Sequence, residues 1–182
     1  MTITQEKQQS AKEALSSSFE YRNPMQTPRL VKVVVSAGVG KKRDAKQLAL
    51  IADRIAKITG QKPSTRTARL SVASFKVRQG DPVGLQVTLR QGRMYDFIEK
   101  LVHIALPRTR DFRGIPSSAI DEMGNLTIGL REHTIFPETA DEDLRDVFGF
   151  AVTVVTSAKS KAEAKAFLRH LGFPLVDRAE KR

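Results

Sequence analysis

Cysteine and tryptophan are both absent from the 182 residues. Without thiols the chain has no disulfide, no thiolate metal site and no cysteine nucleophile, which accords with a reducing compartment. Aromatic residues make up only 6%. That is few for a protein that reads single strands by stacking many unpaired bases. No apolar run approaches the roughly 18 to 20 residues needed to span a bilayer. Residues 1–18 are rich in Gln, Lys, Ser and Glu and lack the apolar stretch of a secretory signal. The expected location is therefore the cytosol, with no membrane partner. His103, His133 and His170 are scattered, with neither a His-Glu-x-x-His spacing nor a Gly-x-Ser-x-Gly elbow in the chain. No catalytic residue, metal, cofactor or small-molecule substrate is expected.

Negative charge is also scarce: 20 Asp and Glu stand against 31 Lys and Arg, a net charge of +11. The 40% hydrophobic content supports a real core, so the surplus charge sits on a folded surface, and such a field favours polyanions. Charge is densest between Lys62 and Arg93. There Lys62, Arg66, Arg69, Lys76, Arg78, Arg90 and Arg93 face the single acid Asp81, with Ser64, Thr65, Thr67, Ser71 and Ser74 between them. These are the side chains that contact phosphate oxygens. The stretch ends in a period-two pattern, with Val83, Leu85, Val87 and Leu89 on one face and Gly84, Gln86, Thr88 and Arg90 on the other. One face belongs to a core, and the other is free to touch something.

Along the chain, 1–19 reads as a tail or frayed helix. Leu30 to Val35 is a strand by its continuous β-branched run. It leads into Gly38-Val39-Gly40-Lys41-Lys42-Arg43, which fails the Walker pattern at Lys42 and the dinucleotide fingerprint at Arg43, leaving a basic turn. Asp44 opens a helix with Leu48, Ile51, Ile55 and Ile58 on one face, and Gly60 stops it. A second helix is predicted from about Arg93 to Leu106, ended by Pro107. The prolines Pro107 and Pro116 bracket a surface loop carrying Arg108, Arg110 and Arg113 around Phe112. Leu126 to Leu130 and Phe150 to Val155 read as strands. Glu138 to Asp146 is acidic and lacks calcium-loop spacing. Ser160-Lys161-Ala162-Glu163 is a capping box opening the last helix, with Gly172 at its end. The expected fold is α+β: an antiparallel or mixed sheet, helices on one face, the other face open. A single domain over 20–176 and a loose charged tail over 177–182 are expected.

The order and spacing of several motifs resemble the bacterial large-subunit ribosomal protein L-five family. They are Asn23-Pro24-Met25-Gln26-Thr27-Pro28, Gly38-Val39-Gly40, Thr59-Gly60-Gln61-Lys62-Pro63, Leu106-Pro107-Arg108-Thr109-Arg110-Asp111-Phe112-Arg113-Gly114 and Leu171-Gly172-Phe173-Pro174. The resemblance covers about residues 20 to 175. It implies a curved antiparallel sheet whose open face takes 5S ribosomal RNA, in a structural protein of the large subunit's central protuberance that also meets large-subunit ribosomal RNA. By position, the family's RNA-facing polar residues fall on Ser36, Gln61 and Thr88. Arg29, Lys32, Lys62, Arg66, Arg69 and Arg90 are candidates for nearby phosphates from their charge and position.

The resemblance further implies that the loop from about Ser71 to Pro82, with Ser74, Lys76, Arg78, Gln79 and Gly80, reaches the P-site transfer RNA. It also implies that Arg108, Arg110, Asp111, Phe112 and Arg113 approach a small-subunit head protein in an intersubunit bridge, which the acidic Asp141, Glu142 and Asp143 join. The family usually has Asn where this chain has Ser36, and its N-terminal helix is usually more basic. Two other classes are weighed against this reading. An RNA-acting enzyme on the same basic face predicts turnover that depends on one carboxylate or histidine. A DNA-binding regulator requires a basic recognition helix, whereas the basic residues here lie mostly in loops and strands.

Overall fold

The computed structural model describes residues 2–16, 18–40, 44–110, 112–140 and 147–177. Lys41, Lys42, Arg43, Asp111, the acidic run 141–146 and the tail 178–182 lie outside the described residues. Strands β1 (Leu30–Gly38), β2 (Ser64–Thr67), β3 (Pro82–Leu89), β5 (Leu126–Leu130) and β6 (Phe150–Thr156) form an antiparallel sheet in the order β2-β3-β1-β6-β5. Strands β4 (Ile115–Pro116) and β7 (Leu175–Val176) form a separate parallel pair. With helices α1 (Ile3–Leu15), α2 (Ala45–Thr59), α3 (Gln91–Lys100), α4 (Leu106–Arg108) and α5 (Lys161–Leu171), the fold is α+β, as the alternation of patterns predicts. By its internal contacts the chain divides into two compact units, 1–33 with 90–128 and 153–182, and 34–89 with 129–152.

In the second of these units, α2 buries Ile51, Ile55 and Ile58 and lies near β3, whose Leu85, Val87 and Leu89 are also buried. Gly60 takes φ +67° and ends α2, a conformation that favours glycine. Val83, placed on the apolar face by the period-two reading, is only half-buried. The register of β2 against β3 slips between Arg66, opposite Gly84, and Thr67, opposite Pro82. The slip leaves Val83 as the extra residue of a bulge, where alternation fails. An aromatic cluster completes this core: the fully buried His133 ring stacks on Phe148 at 4.4 Å, and Phe136 lies 5.9 Å from Phe150.

In the other unit, the segment read from composition as a tail or frayed helix is a 13-residue helix with Ala11 and Leu15 buried, packed near α3 and α5. The predicted second helix has the expected buried stripe, Met94, Phe97, Ile98, Leu101, Val102 and Ala105. It starts at Gln91, and a π-helical turn over Leu101–Ala105 widens it before α4. Pro107 sits inside α4, which continues the π turn through the helical Ala105, so the proline falls within the last turn of this continuous helix and not just after its end. At the other bracket, Ile115–Pro116 is a strand, so both prolines that bracket the expected loop lie in regular structure.

The final helix is capped as its sequence predicts, the Ser160 hydroxyl accepting the Glu163 N–H at 3.3 Å. Its C-terminal side is tied to Asp177, which lies at the start of the expected loose tail. Asp177 accepts from the Ser117 hydroxyl at 2.6 Å and from Arg169 at 2.7 Å and pairs with Lys165. The Lys165 bond first, then those of Ser117 and Arg169, hold its carboxyl well below the usual carboxylate range. A depressed folded value means that the stabilisation is complete above the ordinary carboxylate pKa and is lost as pH falls below it towards the folded value. Backbone protection of Ile115, whose N–H donates to Pro174, is therefore expected to fall over that acid range. In Asp177→Asn it is expected to be low at neutral pH too, as hydrogen-exchange protection factors would show.

Candidate nucleic-acid interface

The site is built in the unit formed by 34–89 and 129–152. On β1 the inward residues are Val35 and Ala37, so Val34, Ser36 and Gly38 point the other way. On β3 the inward Leu85, Val87 and Leu89 leave Gln86 and Thr88 outward, while Gly84, next to the bulge, is itself buried. The antiparallel register sets Ser64 opposite Gln86 and Arg66 opposite Gly84, and directly opposed residues share a face. Every residue of β2 is exposed. The outward surface of these strands is thus a row of hydroxyls and amides beside bare glycine backbone.

A Cβ built on Gly38 or Gly129 would meet nothing within 4 Å, so nothing described covers the backbone there. One on Gly84 would lie 3.0 Å from the Ala37 carbonyl oxygen, so a side chain there would press β3 away from β1.

Side chains on the row hold one another. The Arg66 Nε donates to Gln86 Oε1 at 2.6 Å, and the Ser64 hydroxyl donates to the Gln86 carbonyl at 3.0 Å. This laces the guanidinium of the exposed Arg66 across two strands. Gln61 follows the Gly60 cap and is half-buried. The buried Thr59 hydroxyl lies 2.7 Å from the Ile55 carbonyl and 3.0 Å from that of Gln61, and accepts the Gln61 N–H at 3.4 Å. With a single proton it serves one carbonyl at a time. These bonds fix the Gln61 backbone and do not engage its side-chain amide.

Beyond β2, residues 68–81 form an arm with a backbone scaffold of its own. At its base the Ala68 N–H donates to Asp81 at 2.9 Å and the Gly80 N–H to Ala68 at 3.0 Å; further out, Val72 and Val77 exchange both backbone bonds. The tip is a 3₁₀ turn, Ala73–Phe75, followed by Lys76 at φ +52°. The Gln79 N–H reaches the Ser71 hydroxyl at 3.0 Å, and the Arg78 N–H reaches Asp81 Oδ2 at 2.8 Å. Arg69, Ser74, Lys76, Arg78, Gln79 and Gly80 are all exposed.

Sequence reasoning missed the exposed apolar residues of the arm: Leu70 is 77% and Phe75, at the tip, 74% exposed. The only signal was a lone Phe and Leu in a basic, hydroxyl-rich run with neither strand nor helix period.

The unit thus brings together Ser36, Gln61, Lys62, Arg66 and Thr88, with Arg69 and the arm following β2. Arg29, Lys32 and Arg90 belong to the other unit. Arg29 is exposed, its N–H bonded to the Ser157 hydroxyl; Lys32 is half-buried; Arg90 is exposed at the N-cap of α3. Arg108, Arg110 and Arg113 are exposed and Phe112 half-buried. Asp111, Asp141, Glu142 and Asp143 fall outside the described residues. Among the described residues no group of His, Asp and Glu could hold a metal ion, and no helix is long and apolar enough to cross a membrane.

A family model described as Ribosomal protein L5 matches residues 23–78, and the model of that family's C-terminus matches residues 82–175. Among similar proteins, the large ribosomal subunit protein uL5 of Trichlorobacter lovleyi is 45% identical over 161 residues, 88% of this chain and 90% of its own. That of Salinibacter ruber is 44% identical over 174 residues, 95% of this chain and 91% of its own. That of Symbiobacterium thermophilum is 46% identical over 173 residues, 94% and 96% respectively.

Proposed function

The chain belongs to the ribosomal protein L5 family, and from that premise we propose that it binds 5S ribosomal RNA through the outward side of β1, β2 and β3 and helps attach it in the central protuberance. Membership itself makes the chain a structural constituent of the large ribosomal subunit, associated with ribosomal RNA in translation, and not an enzyme. The observation that carries the finer reading is the open row of Ser36, Ser64, Gln86 and Thr88 beside Gln61, Lys62 and Arg66. Hydroxyls and amides with little aromatic surface suit ribose and phosphate contacts and shape recognition more than base stacking.

The arm 68–81 is the part that reaches P-site transfer RNA in this reading, with Lys76 and Arg78 as its charges. In the same reading the exposed Arg108, Arg110 and Arg113 around Phe112 meet a small-subunit head protein, and Asp111, Asp141, Glu142 and Asp143 are assigned to that bridge from the sequence alone. Electrostatic contacts suit a bridge whose register changes as subunits rotate, because attraction over a Debye length of about 8 Å tolerates sliding.

The test is binding of the purified chain to 5S ribosomal RNA, a transfer RNA and a matched duplex at two salt concentrations. Selective binding to 5S ribosomal RNA is expected, its affinity falling with salt by a log–log slope of about −0.7 to −0.9 per phosphate contacted. Equal, salt-sensitive binding to all three would overturn the 5S assignment.

A further inference from the structure

The motif from Asn23 to Pro28 is not used by the sheet surface or the arm. We propose that the turn from Arg22 to Arg29 is a second, separate RNA-contact element, in which Met25 packs into the groove of a ribosomal RNA duplex and the flanking arginines take its phosphates. The proposal rests on family membership and not on which RNA the sheet face binds.

Met25 is 86% exposed. One exposed apolar side chain is ordinary; this one stands on a rigid mount. Asn23 Oδ1 accepts the Met25 N–H at 2.9 Å and the Asn23 carbonyl accepts the Gln26 N–H at 3.0 Å. The Pro24 carbonyl accepts the Thr27 N–H at 3.2 Å, and Gln26 Oε1 accepts the Arg22 N–H at 3.0 Å. Pro24 and Pro28 fix two further backbone torsions.

Both ends of the turn are tied to the same unit. Before it, the Tyr21 hydroxyl donates to Glu163 Oε1 at 2.9 Å. After it, the Arg29 N–H donates to the Ser157 hydroxyl at 2.9 Å, and the Ser157 N–H returns to the Arg29 carbonyl at 2.9 Å. A turn braced in this way loses little conformational entropy when its tip is covered, which is how a small contact gains affinity.

Charge chooses the partner. From Glu20 to Lys32 there are three cations, Arg22, Arg29 and Lys32, against the one acid Glu20. A protein pocket for Met25 matches this charge only where acids flank it, whereas A-form RNA supplies a groove and negative charge together. Its wide, shallow minor groove presents ribose and base edges to a polarisable thioether, with phosphates on either side for arginine.

The absence of cysteine makes the test direct. Met25→Cys carries a tethered iron–EDTA group, the protein is assembled into large subunits, and hydroxyl-radical cuts are mapped on all RNA strands, with Thr88→Cys alongside. Cuts from Met25→Cys in a ribosomal RNA duplex, distinct from those of Thr88→Cys, are expected. Cuts from Thr88→Cys outside 5S ribosomal RNA would overturn the sheet-face reading and leave this one standing. The absence of RNA cuts from Met25→Cys, or damage confined to a neighbouring protein, would overturn the inference. In competitive assembly, Met25→Asp is expected to lose to the parent by about tenfold, while Met25→Leu holds parity. Parity for Met25→Asp, with melting unchanged in both variants, would also overturn it.

Discussion

A Gln61→Ala, Thr88→Ala double variant is expected to bind 5S ribosomal RNA about thirtyfold more weakly than the parent, the loss of roughly two hydrogen bonds at about 1 kcal/mol each. Its stability is expected to change little. Thr88 points away from the core between the buried Val87 and Leu89. The bonds that fix the Gln61 turn run from the Thr59 hydroxyl to backbone atoms, so truncating the Gln61 side chain leaves the turn whole. Affinity and melting are measured on the same samples. Parent-like affinity, or an equal loss on transfer RNA and plain duplex, would remove these two side chains from the recognition surface. Arg66→Ala makes the contrast. It removes a guanidinium laced to Gln86 and is expected to lower the salt slope by about one without changing which RNA is preferred.

The largest effect on stability is expected in the aromatic cluster: Phe136→Ala costs about 3–5 kcal/mol, a large share of the roughly 5–15 kcal/mol that holds a typical domain folded. Phe136 is 0% exposed and lies between two 3₁₀ turns, His133–Ile135 and Pro137–Thr139. The Thr139 hydroxyl donates to the His133 carbonyl at 2.8 Å and closes those turns over the ring. The second turn lies near α2, so a void there loosens the side chains behind the candidate RNA surface. Urea unfolding should show a large fall in midpoint. Phe75→Ala, at a ring 74% exposed on the arm, should stay within about 0.5 kcal/mol of the parent. Equal effects from the two would contradict the placement of Phe136 as core and Phe75 as surface.

Some of this was written in local pattern. The β-branched run of β1, the apolar stripe and glycine stop of α2, and the capping box of α5 each report backbone conformation within a few residues, where periodicity and cap chemistry act. The outward placement of Thr88 followed from the same period-two rule. That rule failed at Val83, because the bulge depends on β2, a strand well removed in sequence. The second helix was read correctly by its stripe, but the π turn is a backbone adjustment that a side-chain pattern does not encode. The N-terminal helix looked weak because Ala11 and Leu15 are few, yet both are buried in the structure. Tertiary packing supplies most of a short helix's stability.

For the candidate site, sequence alone determined the chemistry on offer: a positive surface, hydroxyls in place of aromatics, and no thiol or metal-ligand spacing. Only the tertiary structure decided which of those groups share a surface. It set Ser64 against Gln86 and laced Arg66 to the same residue, placed Arg29, Lys32 and Arg90 in the other unit, and left Met25 uncovered on a braced turn. The reason is physical. Helix and strand periods arise from each residue's own torsions, whereas strand neighbours and exposure come from long-range pairings that must overcome loop-closure entropy. Their outcome is set by the packing of the whole chain.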